Sequence, residues 1–409
     1  MVYEHISGGA YAGQPLEPEV LCEGFAMLRT VVSDLNAAGH KVTVLLDNRL
    51  FKLNPPLAAD CVVPVFSGEQ TKSFLVDKAQ ISDATYIIAP ETGQTLQSLV
   101  QLMEKTGKVS LNSQSGAIQN VADKAVLYAA LKEKGLPTPK TLVFNVNLSA
   151  QRIKQTIKTQ LNYPVVFKPS DGVSCAGLCL VKDDTQVEAA LSKVKAQSTR
   201  QHFIAQEFVK GEAASVSLIC ADGKAIAISL NKQNVIVATP DSTSSYSGGI
   251  VPFEHPLKEE AFKVATLVVE GFSGLRGYIG VDFVLSENGP VVVDVNPRLT
   301  TSYVGLSQVA CFNVAEAIVE AAVKTKLPPQ PKLNGFASFL KLKVSNPTLI
   351  DFQETGKIRG VISPPFMVNS LEACMFVSCL GKTLEESLSC CQRIKEHALD
   401  IISRGEKFG

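Results

Sequence analysis

The stretch Val291–Gly305, V-V-V-D-V-N-P-R-L-T-T-S-Y-V-G, constrains this chain more than any other. Three β-branched residues lead into Asp294, and Asn296 lies two residues on. Alternate residues of a strand share a face, so this strand end offers a carboxylate and an amide oxygen on one side. Pro297 has no N–H for a ladder and stops the strand. Arg298 then places a permanent cation beside the two oxygens. Upstream, G-V-D-F-V-L puts Asp282 in a second short apolar strand, and S-E-N-G-P between the two reads as a hairpin turn. Paired strands would aim Asp282, Asp294 and Asn296 at one point. Hard oxygen ligands of this kind suit Mg²⁺, which takes one or two carboxylates together with phosphate oxygens. The alternative reading is structural: an Asp that caps a turn and an Asn bonded to its own backbone.

Composition narrows the partners. The 409 residues suffice for two or three domains with cores of their own. Lys plus Arg number 39, as do Asp plus Glu, so no charge excess favours nucleic acid or an anionic membrane. No apolar run is long enough to span a bilayer, and M-V-Y-E-H-I-S lacks the basic and apolar parts of a signal peptide. The expectation is a cytoplasmic protein. The ten cysteines form no C-x-x-C, and the five histidines are scattered, which argues against zinc and for reduced, buried thiols.

Residues 1–115 alternate strands with helices. V-Y-E-H-I-S, K-V-T-V-L-L-D, C-V-V-P-V and T-Y-I-I-A-P read as strands; Glu19–Ala38, Glu69–Ser82 and Gln94–Lys105 read as helices. This rhythm predicts an open, mostly parallel sheet. Glu4 and Glu91 fall at strand ends on the edge where such sheets bind ligands, placed to contact an amine; otherwise they are ordinary exposed glutamates. The loop with Gly8, Gly9 and Gly13 fits neither G-x-G-x-x-G nor G-x-x-x-x-G-K-[ST].

Further on, Asp123-Lys124 opens a periodic helix that Gly135 ends. The strand Y-P-V-V-F-K-P carries Lys168 in an otherwise apolar run, where a lysine needs a partner. The loop S-D-G-V-S-C-A-G follows at once, with Gly172 and Gly177 able to bring backbone N–H groups close to phosphate oxygens. Glu207-Phe208-Val209 reads as a hinge between two lobes. Asp241–Gly249, rich in Ser and Gly, reads as a mobile loop that could act as a lid. A single helix is expected over Val309–Lys324. Leu327-Pro328-Pro329-Gln330-Pro331 is the clearest linker, and residues 332–409 beyond it form either packing for the core or a homodimer surface.

In this order, Lys124, Lys168 with its glycine loop, Q-E-F-V-K-G-E, Asp282 and D-V-N-P-R resemble the ATP-grasp superfamily of ligases. The likeness covers roughly residues 115–325, and residues 1–115 resemble the α/β domain that precedes it. It implies an α/β fold with an N-terminal open parallel sheet (1–115), a two-lobed ATP-grasp core (116–326) and a small C-terminal α+β extension (332–409). It implies ATP and Mg²⁺, with Mn²⁺ as a substitute, and small-molecule substrates. Lys124 and Lys168 would contact phosphates, and Ser170, Asp171, Gly172, Cys175 and Gly177 would belong to the loop closing over them. Glu207, Phe208 and Val209 would line the adenine slot, and Glu212 would bind ribose. Asp282, Asp294 and Asn296 would hold the metal. Arg298 would stabilise the transferred phosphoryl group or the acyl phosphate, and Thr300, Thr301 and Ser302 would face substrate.

More narrowly, N-P-R-L-T-T-S-Y-V-G, D-G-V-S-C-A-G and E-G-F-A-M are similar to the tyramine–L-glutamate ligases of methanofuran biosynthesis, which implies amide formation between the γ-carboxylate of glutamate and tyramine. Other amino acids, a peptide, or carboxylase-type acyl-phosphate chemistry remain open. Two departures stand out. The second metal carboxylate is usually Glu and here is Asp294. The loop is also poor in glycine, with Val173, Ser174, Cys175 and Ala176 between its two glycines. Cys175 is not expected to act as a nucleophile, because this chemistry forms no covalent enzyme intermediate.

Overall fold

The computed structural model describes residues 1–172, 175–198, 200–368 and 371–405. Three sheets organise it. The first is wholly parallel, in the order Cys61–Val65, Thr43–Asp47, Val2–Glu4, Ala84–Ile88, Val109–Ser110. Strand order reverses between Val2–Glu4 and Ala84–Ile88, so the carboxyl ends of these two strands open the crevice where such sheets bind ligands. The second sheet is antiparallel and four-stranded: Thr141–Asn145, His202–Glu207, Val165–Pro169, Cys179–Val181. The third has eight strands, running from Gly289–Asn296 at one edge through Gly277–Ser286, Glu212–Ala221, Lys224–Ile236, Ser245–Val251, Phe336–Ser345 and Glu372–Gly381 to Val361–Ser363. Mixed α/β architecture is therefore observed as the sequence predicts. Among the described residues, no helix is long and apolar enough to cross a membrane.

The helix Pro18–Ala37 ties the parts together. Pro18 sits at its start, where a missing N–H costs nothing. Leu21, Phe25, Leu28, Val32 and Leu35 are buried, and polar ties reach outward. Arg29 donates to the carbonyls of Val361 and Ile362, both at 2.9 Å. Asp34 accepts from the Tyr303 hydroxyl at 2.5 Å and the Ser307 hydroxyl at 2.9 Å.

The segment expected as a mobile lid is ordered in its second half. Ser245–Val251 is an interior strand of the eight-stranded sheet. Its glycines serve close strand approach: a Cβ at Gly248 would lie 2.0 Å from the Phe339 carbonyl oxygen, and one at Gly249 would lie 2.2 Å from that of Lys232. The helix expected over 309–324 begins later, as Val314–Val323, and a separate helix, Ser302–Val309, ends before it, because Ala310 turns extended and bridges to Leu333. Beyond the proline-rich segment the chain continues the same sheet, with Phe336–Ser345 pairing to Ser245–Val251. The expectation of reduced thiols fails for one pair. Cys379, on the strand Glu372–Gly381, and Cys390, on the helix Leu384–Gly405 packed against it, form a disulfide with Cα atoms 5.9 Å apart.

Glycine positions supply a test of this packing. Gly248→Ala, at φ +124° and against a carbonyl, is expected to destabilise the chain by about 2 kcal/mol or more. Gly116→Ala, in the helix Ser115–Ala122 with open space around it, is expected to stabilise by up to about 1 kcal/mol. Urea unfolding midpoints of the two variants check both signs.

Candidate active site

A cavity of about 310 Å³ lies between the three sheets. Its floor is the hairpin expected from the sequence. Asp282 and Asp294 are direct partners across the antiparallel pair Gly277–Ser286 and Gly289–Asn296. The Asn296 amide donates to Asp282 Oδ2 at 3.0 Å, so three oxygen-bearing side chains meet at one strand end. Alternation alone does not produce this. Asp282 pairs with Asp294 while Phe283 pairs with Val292, which leaves Val293 as an extra residue. A bulge of this kind re-aims side chains. Val293, Asp294 and Asn296 all line the cavity as a result.

Two lysines come from other elements. Asp123 caps the helix Lys124–Glu133, accepting from the backbone N–H groups of Ala125 (2.9 Å) and Val126 (3.4 Å). That fixes Lys124 at the first helical residue, and its Nζ donates to Asp294 Oδ2 at 2.8 Å. Burial works against the Lys124 charge, yet Asp294, followed by Glu91 and Asp282, holds its pKa above the ordinary value. Lys168 closes the strand Val165–Pro169 and has no ion pair among the described residues. Burial, reinforced by Lys124, pulls it down to about 8 against the attraction of the aspartates. Burial also pushes Asp282 up to about 6, and the Asp294 charge adds to the shift, while the amides of Asn296 and Gln233 oppose it. Two facing carboxylates and an amide, all hard oxygen donors in a partly desolvated site, therefore fit a divalent cation such as Mg²⁺.

Arg298 also lines the cavity. Its Nε and Nη2 donate to the two oxygens of Glu91, each at 2.9 Å, and Nη1 donates to the Leu299 carbonyl at 3.0 Å. The bidentate pair outweighs burial and keeps Arg298 raised. Glu91 is thus committed to holding Arg298 and does not line the cavity, contrary to the expected amine contact. Glu4 does line it. Its carboxylate accepts from Ile6 N (3.1 Å), Ser7 N (2.7 Å) and Ser7 Oγ (2.6 Å).

Gly172, Cys175, Glu207, Phe208, Val209, Thr300 and Thr301 also reach the cavity wall. The remaining expected residues do not. Ser170 is fully buried and gives its carbonyl to Lys124 N at 2.8 Å. Asp171 is 2% exposed and ties the loop to the first domain, accepting from Gly93 N at 3.1 Å through its carboxylate and from Thr92 Oγ1 at 2.9 Å through its carbonyl. Gly177, at φ +70°, packs where a Cβ would meet Pro169 at 2.6 Å. Glu212 turns outward to Lys232 (3.2 Å) and His255 (3.7 Å). Ser302 is buried at the start of its helix, 1% exposed. Val173 and Ser174 lie outside the described residues. Burial pushes the Cys175 thiol up to about 11, which agrees with its having no nucleophilic role.

Sequence reasoning missed several wall residues. Gln233 donates to Asp282 Oδ1 at 3.0 Å; within N-K-Q-N it looks like part of a solvated strand face. Tyr246 accepts from the Thr301 hydroxyl at 2.7 Å but was hidden in the Ser/Gly-rich stretch. Glu23 and Gly24 stand on the helix Pro18–Ala37, where E-G-F-A-M carries no chemical signal of its own.

Residues 121–302 match the ATP-grasp domain family, and residues 40–118 match the pre-ATP-grasp domain that accompanies it. Over 230 residues the chain is 30% identical to the tyramine–L-glutamate ligase of Methanocaldococcus jannaschii, covering 56% of this chain and 60% of that one. Over 245 residues it is also 30% identical to the enzyme of the same name from Methanocaldococcus fervens, covering 60% of this chain and 68% of that one. The fold resembles the biotin carboxylase domain of the Hydrogenobacter thermophilus 2-oxoglutarate carboxylase, solved with MgADP, ADP and bicarbonate. The TM-score is 0.69 at 12% identity, over 91% of this chain and 87% of that one.

The Arg298–Glu91 pair is largely shielded from solvent, with side chains 14% and 6% exposed. Glu91→Gln keeps the shape and removes the counter-charge, so a stability loss of about 3 kcal/mol is expected. A double-mutant cycle with Arg298→Met, read by chemical denaturation, is expected to give a coupling energy above about 1 kcal/mol.

Proposed function

Because the chain belongs to the ATP-grasp family, we propose that it is an ATP- and Mg²⁺-dependent ligase that joins a carboxylic acid to an amine through an acyl phosphate, with L-glutamate (through its γ-carboxylate) and tyramine as the substrate pair and methanofuran biosynthesis as the setting. The observation that carries this reading is convergence. Lys124 from a helix start, Lys168 from one sheet, and Asp282, Asp294, Asn296 and Arg298 from another all line one cavity. The 30% identity to two tyramine–L-glutamate ligases supports the choice of substrates.

In this reading the acid's carboxylate oxygen attacks the γ-phosphorus of ATP. The bond from that phosphorus to the bridging oxygen breaks, and ADP leaves. Lys124 and Lys168 supply two ammonium groups beside the carboxylate pair to hold the phosphates, and Arg298, fixed in direction by Glu91, faces the charge that develops on the transferred group. Asp282, Asp294 and Asn296 would hold Mg²⁺, which when bound neutralises phosphate oxygens and sharpens the electrophile. A neutral amine then attacks the acyl carbon, phosphate leaves, and the nitrogen gives a proton to the departing phosphate. The walls around Phe208, Val209, Val166, Leu178, Val235 and Val237 form the apolar end suited to a base. The interdomain position shields the acyl phosphate from water, which would otherwise hydrolyse it.

ADP release measured with a panel of acids and amines tests the proposal. Amine-dependent ADP formation is expected, highest with glutamate and tyramine. Silence with every pair removes the ligase reading, and turnover with another pair alone removes only the substrates. Asp294→Asn is expected to lower kcat by about a hundredfold or more with an unchanged circular dichroism spectrum, since both a metal ligand and the Lys124 counter-ion are lost.

Lys168 adds a pH dependence. With its pKa drawn down to about 8 in the free protein, Lys168 is neutral above that pH, so binding ATP must take up a proton. The Kd for ATP is then expected to rise by up to about tenfold per pH unit above pH ~8. Titration calorimetry from pH 7 to 10 reads this rise, and Lys168→Met is expected to flatten it.

A further inference from the structure

Part of the cavity wall is a helix face. Val20, Glu23, Gly24 and Met27 of the helix Pro18–Ala37 line it, spaced as one stripe of a helix. Opposite them lie Glu4 and Ile88, at the carboxyl ends of the two strands that flank the switch point. Gly24 is out of place by propensity, because a glycine inside a helix costs about 1 kcal/mol relative to alanine. Its position explains it: a Cβ there would sit 2.6 Å from the carboxyl carbon of Glu4. The missing side chain is the room that the Glu4 carboxylate occupies.

Glu4 is 3% exposed and accepts two backbone N–H groups and one hydroxyl, but no cation pairs with it among the described residues. Glu23 is 7% exposed and is neutralised by Lys341, whose Nζ lies 2.7 Å from it. This part of the wall therefore presents a buried carboxylate with no ion-pair partner among the described residues, with Val20, Met27 and Ile88 as apolar neighbours. Burial disfavours the Glu4 charge and outweighs the Ser7 and Ile6 hydrogen bonds and the through-space attraction of Arg298, which is itself paired with Glu91, so a ligand cation in contact with Glu4 would relieve it.

We infer that Glu4 and the Val20–Met27 face of this helix form the amine subsite, that it takes a primary amine that arrives as its ammonium on an apolar body and gives one proton to the Glu4 carboxylate before it attacks as the neutral amine, and that Gly24 sets its depth by leaving space for Glu4. The inference rests on the ligase reading and adds the recognition of its nucleophile. Lys341 belongs to the strand Phe336–Ser345, so the C-terminal segment takes part in setting the subsite's charge.

Steady-state kinetics of Gly24→Ala and Met27→Ala, with tyramine, phenethylamine and ethylamine as amines, test it. Gly24→Ala is expected to raise the KM for the aryl amines about tenfold or more while the KM for ATP moves less than about twofold. Met27→Ala is expected to lower discrimination against amines bulkier than tyramine, which keeps the test open if the alanine at 24 disturbs folding. Equal losses for ATP and amine in both variants, or an amine KM unchanged in both, overturn the subsite. Wild-type protein that forms hydroxamate from glutamate, ATP, Mg²⁺ and hydroxylamine retains the ligase reading whichever way the variants fall. Wild-type protein that forms none with any acid loses both.

Discussion

Two carboxylates held opposite each other on paired strands set the terms for the rest of the molecule. Asp282 and Asp294 repel, and the partly desolvated site magnifies the repulsion. Their compensation comes from several elements: Lys124 on a helix start, Gln233 on a strand two places away from that of Asp282 in the same sheet, and Asn296 two residues beyond Asp294. Lys168 adds a charge through space rather than by contact. None of these groups is stable alone in such surroundings. Together they nearly balance and leave the excess of hard oxygen donors that a divalent cation and a polyphosphate would complete. A site assembled this way is poised for ligand because its own charges are only partly satisfied.

The second constraint is a short turn of the first domain. Glu91, Thr92 and Gly93 are consecutive. Glu91 grips Arg298 by both oxygens, while Thr92 and Gly93 hold Asp171 at the start of the glycine loop. One turn thereby fixes Arg298 and one end of the loop beside Lys168. These contacts make the parallel sheet part of the frame around the cavity. The order of the sheet agrees, since Glu4 and Ile88 end the two strands that flank its switch point.

Much of this was legible in the sequence because it depended on local rules. Alternation and Pro297 located the strand end, Asp123 marked the helix start that places Lys124, and an isolated lysine in an apolar strand exposed Lys168. The failures share another cause. The extra residue Val293 inside the hairpin is a register event, and register is decided between strands. It brings the short Asp294 directly across from Asp282, which the bare spacing of Asp294 and Asn296 does not show. Gly248 and Gly249 read as flexibility, yet they answer to carbonyl oxygens about 2 Å from where a Cβ would stand, on strands distant in sequence. Glu91 read as a free glutamate because its partner lies 207 residues away.

The helix Pro18–Ala37 shows why those long-range facts matter for chemistry. One face is ordinary core, built from Leu21, Phe25, Leu28 and Val32. Another meets the C-terminal strands through Arg29 and through Lys341, which bridges Glu19 and Glu23, each at 2.7 Å. A third lines the cavity with a glycine that propensity disfavours. Propensity, packing and charge would each choose differently at position 24, and only the Glu4 carboxylate reconciles them. Where a chain accepts a local cost inside a regular element, the neighbour that occupies the vacated space identifies what the cost is for. Here that neighbour is a buried carboxylate on the wall of a ligand-sized cavity, and the proposed amine subsite would give the helix a part in recognition as well as in the core.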